Sequence, residues 1–189
     1  MNNAWDDIIL ILRRERLLAA TSLNSGATTQ DLEGLEQHLG VDLPTAVGAF
    51  LSEHNGQSER AKVGVYLGSK ILSTGDIRDQ WNTWRSIDEE AMNAECADFM
   101  SSKPEGVVKP MYTNRLWIPL TNDFGGNHVG LDFDPDHKGK RGQVIMFGRD
   151  VDQKFLIADS FDEFLNELIT KLRAADWSFA NKYREGKLS

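Results

Sequence analysis

The chain has 189 residues, of which 40% are hydrophobic and 26% charged, and its formal net charge is −8. This composition is typical of a globular protein in water, and the length suits one sizeable domain. The longest apolar run covers residues 8–12, far below the ~20 residues that a membrane-spanning helix needs. The acidic balance argues against a nucleic-acid binder, which would usually carry a basic patch.

A single cysteine, Cys96, excludes an internal disulfide and a multi-cysteine metal site. Because the start of the chain shows no signal-peptide pattern, we expect a cytoplasmic protein.

Three helices are predicted in the first 56 residues. The first covers residues 4–20, where apolar side chains recur at helical spacing and arginines follow in the second half. The second begins at a capping-box pattern, Thr28 with Asp31, and ends at Gly40. The third begins near Pro44, which suits a first helical turn because an N–H there would be unpaired anyway. These signals predict one helix followed by a helical hairpin.

The middle of the chain has weaker periodicity. Residues 63–67 alternate apolar and small side chains, which predicts a strand, and residues 71–73 predict a second short one. Residues 75–102 carry tryptophan and aliphatic side chains at helical spacing, which predicts helix in one or two pieces. Residues 103–106 contain proline and glycine and predict a turn.

Four strands joined by short turns are predicted in the second half of the chain. They cover residues 116–121, 128–133, 143–147 and 154–158. Antiparallel pairing is expected, because a parallel crossover needs a dozen residues or more. Gly125 and Gly126 fall in the first of these turns, where a hairpin requires positive φ.

A helix is predicted directly after the last strand. Ser160 and Glu163 have the spacing of a capping box, in which hydroxyl and carboxylate each meet a free backbone N–H. The apolar positions that follow repeat at helical spacing and are Phe161, Phe164, Leu165, Leu168, Ile169 and Leu172. Such a stripe must be buried, and we expect it to pack on the adjacent sheet.

Taken together, these motifs resemble the SUKH superfamily, which contains fungal cell-wall assembly regulators and many bacterial immunity proteins. The resemblance begins with the predicted helical hairpin, residues 31–56. It resumes with Trp117-Ile-Pro-Leu120, Asn122-Asp-Phe-Gly-Gly-Asn127, Leu131-Asp-Phe-Asp-Pro135, Gly142-Gln-Val-Ile145, Phe147-Gly-Arg-Asp150 and Ser160-Phe161 with Phe164-Leu165. The block from Asn122 to Asp150 is most similar to the branch that contains the cell-wall regulators.

The resemblance implies an α+β fold, a curved antiparallel sheet of about four to six strands packed by N-terminal helices and a closing C-terminal helix. It implies a single domain over residues 1–189, with a family-like core at residues 28–172. It also implies a protein that binds other proteins and has no catalytic centre or cofactor. The main hypothesis is a cytoplasmic immunity protein that neutralises a toxin, such as a nuclease, by direct binding. The alternative is a regulatory scaffold in cell-wall assembly or signalling.

The residues that could perform chemistry have simpler structural explanations. Asp132, Asp134 and Asp136 alternate, and a small metal-dependent hydrolase is therefore a third hypothesis. A helix-loop-helix calcium site would need Gly and Glu at the positions of His137 and Gln143. We therefore expect Asp134 to start a turn, bonded to nearby backbone N–H groups. No metal site is predicted.

His128 could act as a base, but the sequence offers no evident nucleophile beside it. No catalytic residue is predicted.

Acidic side chains at turns and strand ends are the candidate partner-binding residues. They are Asp123, Asp134, Asp136, Asp150 and Asp152. A nuclease cleft is basic because it binds a polyanion, so an acidic surface could fill it with complementary charge. The predicted partner is thus a basic protein.

Overall fold

The computed structural model describes residues 3–185. It divides into two compact units, Met1–Thr74 with Leu165–Ser189 and Gly75–Phe164. Helices and sheet strands are both present, so the predicted α+β class is confirmed. Among residues 3–185, every helix falls short of the length and hydrophobicity that a bilayer crossing requires. The single domain over residues 1–189 stays a prediction.

The first unit begins with four helices. These are α1 (Ala4–Arg14), α2 (Leu18–Thr21), α3 (Thr29–Leu39) and α4 (Thr45–Glu53). The predicted helix over residues 4–20 is interrupted because Arg16 adopts a left-handed conformation with φ 58°. Trp5 of α1 stacks on Phe50 of α4 at 4.4 Å between ring centroids, and its indole N–H donates to the Phe50 carbonyl at 2.8 Å. This contact fixes α1 against the helical hairpin.

The buried amide of Gln57 organises the segment that follows α4. Its Nε2 donates to the carbonyls of Thr21 and Val63 at 2.7 and 2.8 Å. Its Oε1 accepts from the backbone N–H groups of Val65 and Ile71 at 2.9 and 3.1 Å. The predicted strand at residues 63–67 is therefore wrong, because the side chain of Gln57 takes the place of a partner strand. A short strand, β1 (Lys70–Ile71), follows.

The second unit contains two helices and a five-stranded sheet within the described residues. The helices are α5 (Thr74–Arg85) and α6 (Glu89–Cys96), so the helical prediction for residues 75–102 holds in two pieces. The remaining strands are β2 (Ser101–Lys103), β3 (Trp117–Pro119), β4 (Thr121–Asn122), β5 (Asn127–Asp132), β6 (Gln143–Gly148) and β7 (Gln153–Ala158).

The sheet of this unit has the strand order β2-β7-β6-β5-β3. The neighbours β3, β5, β6 and β7 pair in antiparallel fashion, as the short turns predicted. Strand β2 pairs in parallel with β7, with Ser101 opposite Gln153. Residues 101–102 were predicted to be helical, and they form this parallel edge strand instead.

The final long helix, α7 (Phe161–Ala174), confirms the predicted closing helix. The Ser160 hydroxyl accepts from the backbone N–H of Glu163 at 3.2 Å. The Glu163 carboxylate reaches one residue further back than predicted, to the N–H of Asp159 at 3.1 Å. Most of the predicted stripe is buried, namely Phe161, Phe164, Leu168, Ile169 and Leu172. A 3₁₀ helix, Trp177–Tyr183, follows it.

Candidate functional site

One end of the five-stranded sheet gathers three connecting segments. Strand β5 starts at Asn127 opposite Gly148, where β6 ends, and β2 and β7 start side by side at Ser101 and Gln153. The turn before β5, the turn between β6 and β7 and the residues before β2 therefore share this end. We call it the acidic end and define it by Phe99, Asp123, Phe124, Asp150 and Asp152, all of which are exposed.

The turn before β5 is held by the carboxylate of Asp123. Its Oδ1 accepts from the backbone N–H groups of Gly125 and Asn127 at 2.7 and 2.9 Å, and its Oδ2 accepts from the Asn127 side chain at 2.8 Å. Partial burial would raise the pKa of Asp123, but these hydrogen bonds outweigh it and lower the pKa below its ordinary value. The side chain is thus a charged turn former whose outer surface remains exposed.

Phe124 lies at the tip of this turn. Its side chain is 74% exposed, and its backbone has φ 65°, a left-handed conformation that non-glycine residues seldom adopt. Its N–H donates to the Asn122 side chain at 2.6 Å. Gly126 has φ 96°, which confirms the positive φ predicted for this turn. The side chain of Phe124 is therefore exposed at the tip of a turn whose backbone is held by hydrogen bonds.

The turn between β6 and β7 lies directly beside the Phe124 turn. The backbone N–H of Arg149 donates to the Gly126 carbonyl at 3.1 Å, and the backbone N–H of Asp150 donates to the Asn127 side chain at 2.9 Å. The carbonyl of Asp152 accepts from the N–H of Ser101 at 3.0 Å. These hydrogen bonds hold the backbone of Asp150 and Asp152, whose side chains are exposed.

A second exposed aromatic side chain belongs to the same end. Phe99 is 70% exposed and lies two residues before Ser101, the residue that bonds to Asp152. Sequence reasoning selected the carboxylates here and missed Phe99 and Phe124. A phenylalanine between Asp123 and two glycines was the available signal, since turns seldom place a large apolar side chain at their tip.

The other two predicted residues, Asp134 and Asp136, lie beyond the opposite end of β5. The six residues of that strand separate the two sets by roughly 17 Å at ~3.3 Å per residue. Asp134 forms an ion pair with Lys109 at 2.6 Å and accepts from the Asn114 side chain at 2.8 Å. Its carboxylate therefore meets side chains, whereas the predicted turn role required backbone N–H groups. The five acids do not form one surface.

The pKa values of Asp134 and Asp136 are lowered by neighbouring groups of the same unit. Partial burial would raise the pKa of Asp134, but the hydrogen bonds from Lys109 and Asn114 lower it overall. Asp136 accepts from both the side chain and the backbone N–H of His137 at 3.0 and 2.7 Å, which lowers its pKa. Both side chains therefore have neighbours within the same unit that stabilise their negative charge.

The region considered for a metal-dependent hydrolase contains a buried carboxylate with a hydrogen bond to each of its oxygens. Asp132 accepts at Oδ1 from the backbone N–H of Asp134 at 2.9 Å and at Oδ2 from the Gln143 side chain at 2.9 Å. Burial raises the pKa of Asp132 to about 6. Among residues 3–185, no group of three or more His, Cys, Asp and Glu side chains has the arrangement of a metal site.

His128 is buried, and both of its ring nitrogens make structural hydrogen bonds. Its Nε2 accepts from the indole N–H of Trp84 at 3.0 Å, so the proton of the neutral ring lies on Nδ1, which donates to the Thr121 carbonyl at 2.7 Å. Burial lowers its pKa. This ring connects α5 to the sheet, and proton transfer would require breaking its bond to Trp84.

The sequence of this chain is similar to those of a known protein family. The sequence model of the SMI1/KNR4 family (SUKH-1) matches residues 26–167. A cell wall biosynthesis/cell cycle regulator, smi1 of Schizosaccharomyces pombe, is 33% identical over 161 residues, covering 80% of this chain and 32% of that protein. A glucan synthesis regulatory protein of Neurospora crassa is 29% identical over 197 residues, covering 88% of this chain and 37% of that protein.

A third relative has a similar span. The cell wall assembly regulator SMI1 of Saccharomyces cerevisiae is 28% identical over 187 residues, which cover 82% of this chain and 37% of that protein. The chain thus spans well under half the length of each of these three curated relatives.

Proposed function

This chain belongs to the SMI1/KNR4 family (SUKH-1), and we propose that it is a non-enzymatic regulatory module that acts by binding another protein. The relatives from three fungi carry names that describe regulation of the cell wall, glucan synthesis or the cell cycle. These names favour a regulatory scaffold over the toxin-neutralising role, which is the alternative within the superfamily. Since the chain spans only part of those relatives, we assign it the binding step of such regulation.

The observation that carries this proposal is the acidic end. It exposes two phenylalanines, Phe99 and Phe124, at the end of the sheet that also carries the exposed residues Asp123, Asp150 and Asp152. Exposed aromatic side chains with a polar surround are the usual composition of a protein-binding surface. Loops held on a rigid sheet are also the common location of such surfaces.

The side chains most suited to catalysis support the non-enzymatic assignment. His128 uses both ring nitrogens to connect α5 and the sheet, and Asp132 uses both carboxylate oxygens inside the same unit. A general base needs a free nitrogen or oxygen within hydrogen-bond reach of a substrate. Cytoplasmic residence is part of the proposal, and the free Cys96 is compatible with a reducing compartment.

Affinity capture of the tagged full chain from its source cell, after cross-linking, tests the proposal. Recovery of a cell-wall or signalling protein, together with altered sensitivity to wall-damaging agents when the gene is deleted, is the expected result. Recovery of a toxin, and protection of cells that express that toxin, would instead establish the immunity role. A chain that enriches no protein above an unrelated tagged control would contradict the binding proposal itself.

A further inference from the structure

Phe124 combines two features that are unfavourable in an isolated chain. Its ring is 74% exposed, which leaves apolar surface in water, and its φ of 65° belongs to the left-handed region. Glycine would occupy this position without backbone strain, and two glycines follow it directly. A backbone outlier of this kind at an exposed turn points to a functional constraint on the side chain.

Hydrogen bonds within the unit hold the backbone of the turn around Phe124. The Asn122 side chain accepts from the N–H of Phe124 at 2.6 Å, and Asp123 accepts from two further backbone N–H groups of the turn. The neighbouring turn adds the bond from Arg149 N–H to the Gly126 carbonyl. Because the backbone that carries Phe124 is already held in place, binding costs less backbone conformational entropy, and more of the buried area contributes to affinity.

The charge around the ring indicates the chemistry of what covers it. Asp123, Asp150 and Asp152 are exposed at this end, and Arg149 is the basic residue of the adjoining turn. The balance is negative, so a partner gains from lysine or arginine around the apolar contact. Anionic lipid headgroups and nucleic-acid phosphates would be repelled by the same carboxylates.

We propose that Phe124 is the anchor for a basic amphipathic segment of a protein partner. The apolar face of that segment covers the rings of Phe124 and Phe99, and its lysines or arginines meet Asp123, Asp150 and Asp152. An amphipathic helix suits this surface because its apolar face can cover exposed rings while its basic residues meet carboxylates at the rim. The inference rests on the proposed binding function and names the residue and the partner chemistry that perform it.

The first test uses a fluorescent synthetic helix with leucine on one face and lysine on the other, titrated with the full chain. Phe124→Ala and Phe124→Gly should each weaken binding roughly tenfold or more, as expected for an anchor residue. Phe124→Gly should melt at the same temperature as the wild type or higher, because glycine relieves the left-handed strain. Leu10→Ala, which removes another exposed apolar side chain (66% exposed), is the matched control and should bind like the wild type.

The second test separates this surface from the general acidity of the chain. Asp150→Lys with Asp152→Lys should weaken binding by several-fold and reduce its salt dependence. Asp136→Lys makes a charge reversal beyond the opposite end of β5 and should have a much smaller effect. The same peptide with glutamate in place of lysine should not bind. Equal effects of the reversals at both ends would overturn the assigned surface.

The outcomes distinguish this inference from the proposed function. If Phe124→Gly binds the peptide as the wild type does, or if the wild type does not bind it, the inference fails. The captured cellular partner would still support the binding function in either case. Binding of the chain to vesicles of anionic lipid is the third measurement. Binding that depends on Phe124 would assign the ring to a membrane surface and overturn the protein-partner proposal.

Discussion

Replacing Lys154 with methionine should stabilise this protein. Lys154 lies in β7 with 0% of its surface exposed. Its Nζ donates to the Val151 carbonyl, lies 3.5 Å from the sulfur of Met100 and is 6.0 Å from the centre of the Trp117 ring. These neighbours replace only part of the hydration that an ammonium group has in water. The charged form of Lys154 is therefore disfavoured.

The expected magnitude follows from the pKa of this lysine. Burial lowers the pKa of Lys154 from 10.5 to about 8. Each pKa unit corresponds to about 1.4 kcal/mol, so the buried charge costs roughly 3 kcal/mol at neutral pH. Methionine has a similar volume but loses the hydrogen bond to Val151, which contributes roughly 1 kcal/mol. The variant should therefore gain roughly 2 kcal/mol at pH 7, or about 4–8 °C in melting temperature.

The pH dependence of this gain is specific to a buried lysine. Because its pKa is lower in the folded state, the folded protein loses the proton first as the pH rises. The stability of the wild type should then increase between about pH 8 and pH 10.5, where the unfolded chain still holds the proton. The advantage of Lys154→Met should accordingly be largest at pH 7 and disappear as the pH approaches 10.5.

Urea unfolding of both proteins at several pH values measures the difference in free energy of unfolding. Lys138→Met, which changes an exposed lysine of the same unit, should alter stability by less than about 0.5 kcal/mol. A Lys154→Met variant that is less stable than the wild type at pH 7, or whose advantage does not change with pH, would refute this reasoning.

Three other buried side chains allow further tests by denaturant melts. Leu168→Ala should cost roughly 2–5 kcal/mol because it leaves a cavity, and a loss below about 1 kcal/mol would mean that α7 does not face a packed core. Gln57→Glu should destabilise the first unit strongly, because a carboxylate cannot donate to the carbonyls of Thr21 and Val63; a variant as stable as the wild type would contradict its organising role. The pKa of Asp132 is raised from 3.8 to about 6 by folding, so the protonated carboxyl favours the folded state. Its contribution to the free energy of unfolding is complete below about pH 3.8 and is lost as the pH rises through 6. Stability measured from pH 4 to pH 7 should therefore move in favour of Asp132→Asn as the pH rises, and a constant difference between the two proteins would argue against the raised pKa.

The sequence alone determined the elements whose signals are local. The capping box of α3 formed as predicted, with the Asp31 N–H donating to the Thr28 hydroxyl at 3.1 Å and Gly40 ending the helix at φ 70°. The antiparallel strands β3, β5, β6 and β7 and the buried stripe of α7 also agree with the pattern. Capping, turn geometry and apolar periodicity each depend on residues a few positions apart, which a sequence displays directly.

Tertiary structure decided the elements that depend on distant partners. Residues 63–67 have strand-like alternation, yet they form only isolated bridges to residues 68–69, and the amide of Gln57 bonds to the backbone of Val63 and Val65. Ser101 and Ser102 carry no strong strand signal, but β7 supplies a parallel partner, and they complete the sheet edge. A hydrogen bond to a group outside the segment, such as the side chain of Gln57 or strand β7, can override a weak local preference.

The candidate site shows the same division between local and distant information. Turn patterns placed acidic side chains at Asp123, Asp150 and Asp152, and the resemblance to the SUKH superfamily implied that such a protein binds other proteins. The observed pairing of β5 with β6 places Asp123 and Asp150 at one end of the sheet and Asp134 and Asp136 beyond the other end. The exposure of Phe124 likewise depends on a left-handed backbone that its neighbours hold in place. The sequence thus specified which residue types were present, and the pairing of distant strands decided which of them form one surface.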